Sequence, residues 1–259
     1  MSKQTEKDVD VTAAEREKRE KKLQALNAEY REIILASGKV PPEMELKPTE
    51  IEKKWRFTDL PGDLSSQIAA GVAQSYTIIK QGYTEGGVRL REETTYVLNN
   101  GRYEVDEEGT KHLVSYKTYL SDDGVDRYEA PEIDIGKDKF EHYWNERVGG
   151  NFIEKTRYRI HDGYGMPIDL DYYKADPVYG SRFWTMEVEF KSHQQADEYH
   201  IPSAYAINGS MDHIMYVTED SRFDAKNLAE RRGGRRNSEG RRIRPNGTNG
   251  NRHGNGTRR

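Results

Sequence analysis

Glu50-Ile51-Glu52-Lys53-Lys54-Trp55-Arg56-Phe57 alternates charge and bulk along its length. Side chains of a β-strand point to opposite faces with period two. Read as a strand, this stretch puts Glu50, Glu52, Lys54 and Arg56 on one face and Ile51, Trp55 and Phe57 on the other. A second stretch far along the chain, Glu187-Val188-Glu189-Phe190, repeats the arrangement: Glu187, Glu189 and Lys191 oppose Met186, Val188 and Phe190. A charged strand face normally meets water. Two acidic pairs mixed with cations have a second option, which is to face each other across an interior and hold a metal ion.

Working outward, residues 49–57, 76–84, 87–93, 102–106, 112–119, 126–129, 152–160, 167–173, 183–191 and 213–218 read as strands. Asn99-Asn100-Gly101, Asp122-Asp123-Gly124 and Asp162-Gly163 supply the turns between them. Helical stretches fall at about 63–73 and 138–148, with a third near 193–199. The fold class is mainly β (α+β) and antiparallel, with a strand number that suits a barrel or a large sandwich. Several strands have one fully charged face: Arg89, Arg91 and Glu93 oppose Val88 and Leu90, while Lys155, Arg157 and Arg159 oppose Thr156 and Tyr158. Asp169, Asp171 and Tyr173 likewise oppose Ile168, Leu170 and Tyr172. A sandwich turns such faces outward and a wide barrel encloses them. Periodicity alone favours the sandwich.

The 259 residues divide by composition into three segments. Residues 1–45 are charged and hold no Trp or Phe. Within them, 12–36 favours a helix, opened by a Thr12/Glu15 capping box and striped by Leu23, Leu26, Tyr30, Ile33 and Ile34. Residues 46–229 carry all three Trp and all six Phe and can build a core. From 230 to 259 the chain is Arg, Gly and Asn, too poor in apolar groups to order itself. Removing the ten arginines and one acid that follow Glu230 from totals of 41 and 45 leaves 31 cations and 44 anions in the body. The tail arginines suit contact with nucleic-acid phosphates, or equally with the acidic body. No Cys is present, which excludes disulfides and thiolate metal sites. The start lacks an apolar signal region and no run is long enough to span a bilayer, so the simplest expectation is a cytoplasmic protein with no membrane contact.

The words that carry charge are specific enough to compare with a family. The chain resembles the CYTH domain, the triphosphate tunnel metalloenzyme group that includes class IV adenylate cyclases, thiamine triphosphatases and inorganic tripolyphosphatases. Glu50-x-Glu52-x-Lys54 is similar to the family's opening E-x-E-x-K, Ile79-x-Gln81-Gly82-Tyr83 to its I-x-Q-G-Y, and Arg89-x-Arg91 to its R-x-R. Lys117 stands where the family has a strand lysine, followed by Lys155-Thr156-Arg157-Tyr158 for K-T-R-Y. Asp169-x-Asp171-x-Tyr173, Glu187-Val188-Glu189-Phe190 and Val217-Thr218 through Asn227-Leu228-Ala229 complete the set in order. There are two departures. Where the family has R-x-E-x-E, Arg127 and Glu129 are followed by Pro131, with Glu132 one place late; Tyr216 stands where many members have Glu.

The resemblance implies an eight-stranded antiparallel β-barrel tunnel with covering helices and a charged lumen, in place of the sandwich. It implies Glu50, Glu52, Glu189 and Lys54 as catalytic residues. Lys54, Arg89, Arg91, Lys117, Arg127, Lys155 and Arg157 would bind substrate, and Glu50, Glu52, Glu187, Glu189 and Asp171 would hold metal. A triphosphate carries about four negative charges, which calls for fixed cations and a divalent ion. Carboxylate ligands without Cys or a His cluster favour Mg²⁺ or Mn²⁺ over Zn²⁺. The implied activity is hydrolysis of tripolyphosphate, a nucleoside triphosphate or thiamine triphosphate. An adenylate cyclase, an RNA 5′-triphosphatase and a non-catalytic nucleotide or phosphate binder stay open beside it, as does the oligomeric state, a dimer included.

Overall fold

In the computed structural model the described residues are 28–42, 50–69, 75–119, 125–174 and 182–233. Ten strands form one antiparallel sheet: β1 (Glu50–Phe57), β2 (Ser75–Tyr83), β3 (Val88–Asn99), β4 (Arg102–Tyr119), β5 (Asp126–Glu129), β6 (Ile133–Asp134), β7 (Phe152–His161), β8 (Pro167–Tyr173), β9 (Phe183–Phe190) and β10 (Ile214–Tyr216). The helices are α1 (28–36), α2 (Gly62–Ala69), α3 (Lys137–Tyr143, continued by a wider π turn over Trp144–Val148), α4 (His193–Glu198) and α5 (Ala225–Gly233).

Side by side the strands run β1-β5-β4-β3-β2-β7-β8-β9. β9 then pairs with β1 from Ile51↔Phe190 to Phe57↔Trp184, so the path of pairings returns to its first strand. β10 continues on β1 at Trp55–Phe57, beyond the two residues that meet β5, and β6 pairs with β4. No second sheet stacks on the first, so the sandwich favoured by periodicity is not the arrangement found among the described residues. Outer faces are covered locally. Val88, Leu90, Val114 and Tyr116 pack under α1 and α3, with Tyr30, Ile33, Ile34, Phe140 and Trp144. Trp55, Phe57, Leu170, Met186 and Val188 form a second cluster with Leu64 of α2 and Ala196 of α4. Phe223, Leu228 and Ala229 pack on Ile153, Tyr173 and Phe183 in a third.

Element by element, β1, β5, β8 and β9 fall where the alternation predicts, within a residue at each end. The hairpin at Asn99-Asn100-Gly101 is as expected, with Asn100 and Gly101 at φ 49° and 77°, a left-handed pair that twists to match the strands. The two strands predicted at 102–106 and 112–119 are one strand, β4. Its register with β3 shifts between Thr94 and Tyr96, so 106–109 stand opposite Thr95 alone. The break expected between the two strands is a bulge at 106–109 within one strand. The predicted Asp122-Asp123-Gly124 turn, residues 12–27 of the predicted N-terminal helix, and 234–259 of the basic tail lie outside the described residues. Residues 28–36 of that helix pack on the outside of the sheet, with Ile33 and Ile34 fully buried.

Candidate functional site

A cavity of about 770 Å³ is lined by the charged faces of β1, β3, β7 and β9, by Arg127 and Glu129 of β5, and by the 85–87 and 224–227 segments. Eight Lys or Arg and nine Asp or Glu line it among the described residues, so opposite charges nearly cancel. Period-two alternation puts them there: Arg89 and Arg91 line the cavity while Val88 and Leu90, on the other face, are fully buried under α1 and α3.

The two acidic words lie on neighbouring strands. Glu52 stands opposite Glu189 and Lys54 opposite Glu187 in the β1–β9 register. They therefore form one wall, where the sequence suggested two acidic faces confronting each other. Glu52 pairs with Arg127, and both are almost completely buried. Lys54 Nζ is 2.5 Å from Glu187 Oε1. Burial works against the Lys54 charge, but Glu187 and then Glu52 outweigh it and hold the ammonium above its usual pKa. Glu187 is held well below the usual carboxylate range: burial opposes its charge, and Lys54 followed by Arg157 overcomes that.

β7 and β8 supply the second wall. Arg157 donates to both Asp171 oxygens at 2.7 Å, to Glu187 Oε2 at 2.7 Å, and to Asp169. Lys155 Nζ donates to Asp171 Oδ2 at 2.5 Å. Asp171 is fully buried, its oxygens taken by these two cations, and its carboxyl is held below its ordinary value despite burial because Arg157 and Lys155 stabilise the anion. Lys155 is pushed down to about 8, by burial first and by the neighbouring Arg157 second.

The third wall is the β3–β5 corner. Arg89 donates to Glu129, to Glu132 at 2.8 Å, and through Nε to Ser115 Oγ at 2.8 Å. Arg91 lies 2.9 Å from both Glu93 and Glu132. Glu132 reaches these arginines because β5 ends at Glu129. The next pairings are Lys117↔Glu129 and Val114↔Ile133, so three residues, 130–132, stand opposite two, 115–116. The extra residue is a bulge that accommodates Pro131 and flips the side-chain phase. A regular strand would turn Glu129 and Glu132 to opposite faces. Lys117 takes its place on β4, but its side chain lies outside the described set.

Sequence reading missed Glu129 and Glu132 as partners of Arg89, Asp169 as a partner of Arg157, and the 224–227 segment as part of the lining. For Asp169 the signal was present, since it shares a strand face with Asp171. For Glu132 the signal was hidden by the bulge.

Glu50, Glu52 and Glu189 line one cavity wall and offer only oxygen donors, which suits a hard divalent cation in ligand type. In the arrangement found, Arg127 and Lys54 already sit on these acids and their neighbour Glu187. No group of three or more His, Asp or Glu converges at metal-binding distance among the described residues.

No family description matches the chain, and no curated protein matches it. Among solved structures, it is similar to the inorganic triphosphatase NE1496 at 24% identity and TM-score 0.41, over 73% of this chain and 97% of that one. A second structure of NE1496, described as a hypothetical protein, gives 25% and 0.40 over 70% and 97%. A putative adenylyl cyclase from Hippeastrum, described as having a dominant triphosphatase activity, gives 15% and 0.31 over 57% and 83%.

Proposed function

We propose that this chain is a divalent-metal-dependent triphosphatase, and that its ring of paired strands works as an eight-stranded barrel tunnel holding a linear triphosphate. The observation that carries the reading is the charge balance of the cavity: eight cations against nine acids in about 770 Å³. A binder of simple anions would carry an excess of cations. A nearly neutral lining with its acids gathered on β1 and β9 suits a polyanion that arrives with a cation of its own. The volume lies within the range of small-ligand pockets, which is about 300–1,000 Å³.

In this reading Arg89, Arg91, Lys155 and Arg157 take the phosphate oxygens, with Arg suited to bidentate contacts. Lys117 and Arg127 extend the cation row. Glu50, Glu52 and Glu189 would hold Mg²⁺ or Mn²⁺, with Glu187 beside them and Asp171 behind. When bound, the ion supplies charge neutralisation at the phosphoryl group being transferred. Lys54, between Glu52 and Glu187, balances the charge that builds on the leaving phosphate. Hydrolysis forms one P–O bond from water and breaks the terminal P–O–P bond, and the water's proton passes to a carboxylate of the β1–β9 wall.

No helix among the described residues is long and apolar enough to cross a membrane. The tail's contact with nucleic acid and the cytoplasmic location remain part of this proposal. The test is a substrate panel with product identification: tripolyphosphate, ATP, thiamine triphosphate and 5′-triphosphorylated RNA, each with Mg²⁺ or Mn²⁺. Orthophosphate release supports the hydrolase, whereas cyclic AMP formed with diphosphate release supports the cyclase. Tight binding with no turnover on any substrate supports a binder and sinks the enzyme.

A further inference from the structure

The bulge at 130–132 is hydrogen-bonded to helix α1. Tyr30 Oη donates to the Pro131 carbonyl at 2.5 Å, across 101 residues of sequence. A bulge interrupts the ladder, and its carbonyls need donors from elsewhere. Tyr30 is fully buried and packs with Ala130, the residue before the proline, in the same cluster as Val88 and Leu90. Those two residues occupy the back of the strand that carries Arg89 and Arg91 on its front. The same helix holds the β2–β3 turn: Thr84 Oγ1 donates to Glu29 Oε2 at 2.9 Å. That carboxylate lies so close to Gly86 that a Cβ there would meet it at 2.0 Å. Arg147 completes the tie, donating to Glu29 at 3.2 Å and to Glu32 at 2.7 Å. Gly86, Pro131, Glu129 and Glu132 all line the cavity.

We infer that α1 is a strap for the substrate arginines and that Tyr30 is its positioning residue. By fixing the carbonyl of Pro131, Tyr30 sets where Glu129 and Glu132 stand, and these two acids set where the guanidinium of Arg89 points. Glu132 extends the same control to Arg91. Tyr30 touches no substrate; it acts through the bulge. The inference rests on the triphosphatase reading for its ligand but adds an element outside the segment that resembles the CYTH domain. It also gives Pro131, a departure from that family's pattern, a purpose.

The experiment uses the full chain, with tripolyphosphate and Mg²⁺ as the probe. Tyr30→Phe keeps the buried ring and removes the donor. It is expected to raise KM about tenfold while kcat stays within about twofold, because misplaced binding groups weaken ground-state and transition-state binding alike. Glu29→Gln is expected to raise KM in the same direction by a smaller factor, and it serves if Tyr30→Phe does not fold. In an Arg89→Lys background, which has lost the fork that Glu129 and Glu132 grip, Tyr30→Phe should change KM by less than about twofold. A wild-type KM with only a lowered melting temperature overturns the strap, and so does a full tenfold effect in the Arg89→Lys background. Should the wild-type chain bind tripolyphosphate without hydrolysing it, the hydrolase reading alone fails, and dissociation constants replace KM in the same comparison. Should it neither bind nor hydrolyse, both readings fall.

Discussion

Arg157 and Arg89 both sit in acid forks that line the cavity, and these two forks are built by different means. Arg157 is held by Asp169 and Asp171 of β8 and Glu187 of β9, residues that regular strand alternation brings to one face. Arg89 is held by Glu129 and Glu132, which alternation would separate and a proline bulge reunites. The first fork is deep, with Asp171 fully buried. The second includes Glu132, whose side chain is 32% exposed, and leans on a helix from elsewhere in the chain. Regular strands give a fixed grip, whereas a bulge gives one that another element can adjust.

Removing each arginine is the sharpest way to break this comparison. Arg157→Met leaves the fully buried Asp171 and the partly buried Asp169 and Glu187 without their shared cation. Stripping one partner from a buried ion network costs about 3–5 kcal/mol. Arg89→Met leaves acids that water reaches, so a cost nearer about 1–2 kcal/mol is expected. Chemical denaturation of both variants measures the difference, and equal losses would dissolve the distinction between the forks.

Lys155 offers a pH test of the deep fork. Its ammonium titrates near about 8 in the folded chain, against 10.5 ordinarily. Above that pH the cavity loses a cation, so tripolyphosphate affinity should fall as pH rises through about 8, and Lys155→Arg should flatten the fall. The stability of the free protein runs the other way. From about 8 to 10.5 the unfolded chain keeps a proton that folded Lys155 has released, so the Lys155 contribution to stability rises with pH across that window. Affinity that is level across pH 7–9 would contradict this reading of Lys155.

The smallest effect belongs to the strap. Gly86→Ala presses a methyl on the Glu29 carboxylate, the far end of a flexible side chain. A loss of no more than about 1 kcal/mol is expected, read as a small shift in the unfolding midpoint. A loss several times larger would mean that the Glu29 contact is rigid.

These differences also mark how far the sequence can be read. Alternation is local, so the faces of β1, β3, β7, β8 and β9 and the cations on them were legible from spacing. So was the Asn100-Gly101 hairpin, whose backbone angles few residues adopt. Pairing is not local. Nothing in Glu50–Phe57 states that its neighbour starts 133 residues later at Phe183, so Glu52 and Glu189 were expected across an interior and are instead adjacent. Bulges defeat spacing altogether. Asp106–Gly109 has the composition of a turn yet stays within β4, and Pro131 shifts Glu132 to a face its position in the chain denies it. The docking of α1 was open for a third reason: its apolar stripe identified a buried face without naming what covers it.

The central claim is that the acidic wall of β1 and β9 and the arginine forks form one triphosphatase site. Orthophosphate release from tripolyphosphate with Mg²⁺ or Mn²⁺, compared between the wild-type chain and the Glu52→Ala, Glu189→Ala double variant, tests it most directly. The account predicts turnover by the wild type and a loss of at least about a thousandfold in the variant, provided that the variant still unfolds cooperatively. Equal rates in the two folded proteins, on this and every other triphosphate tried, would contradict it.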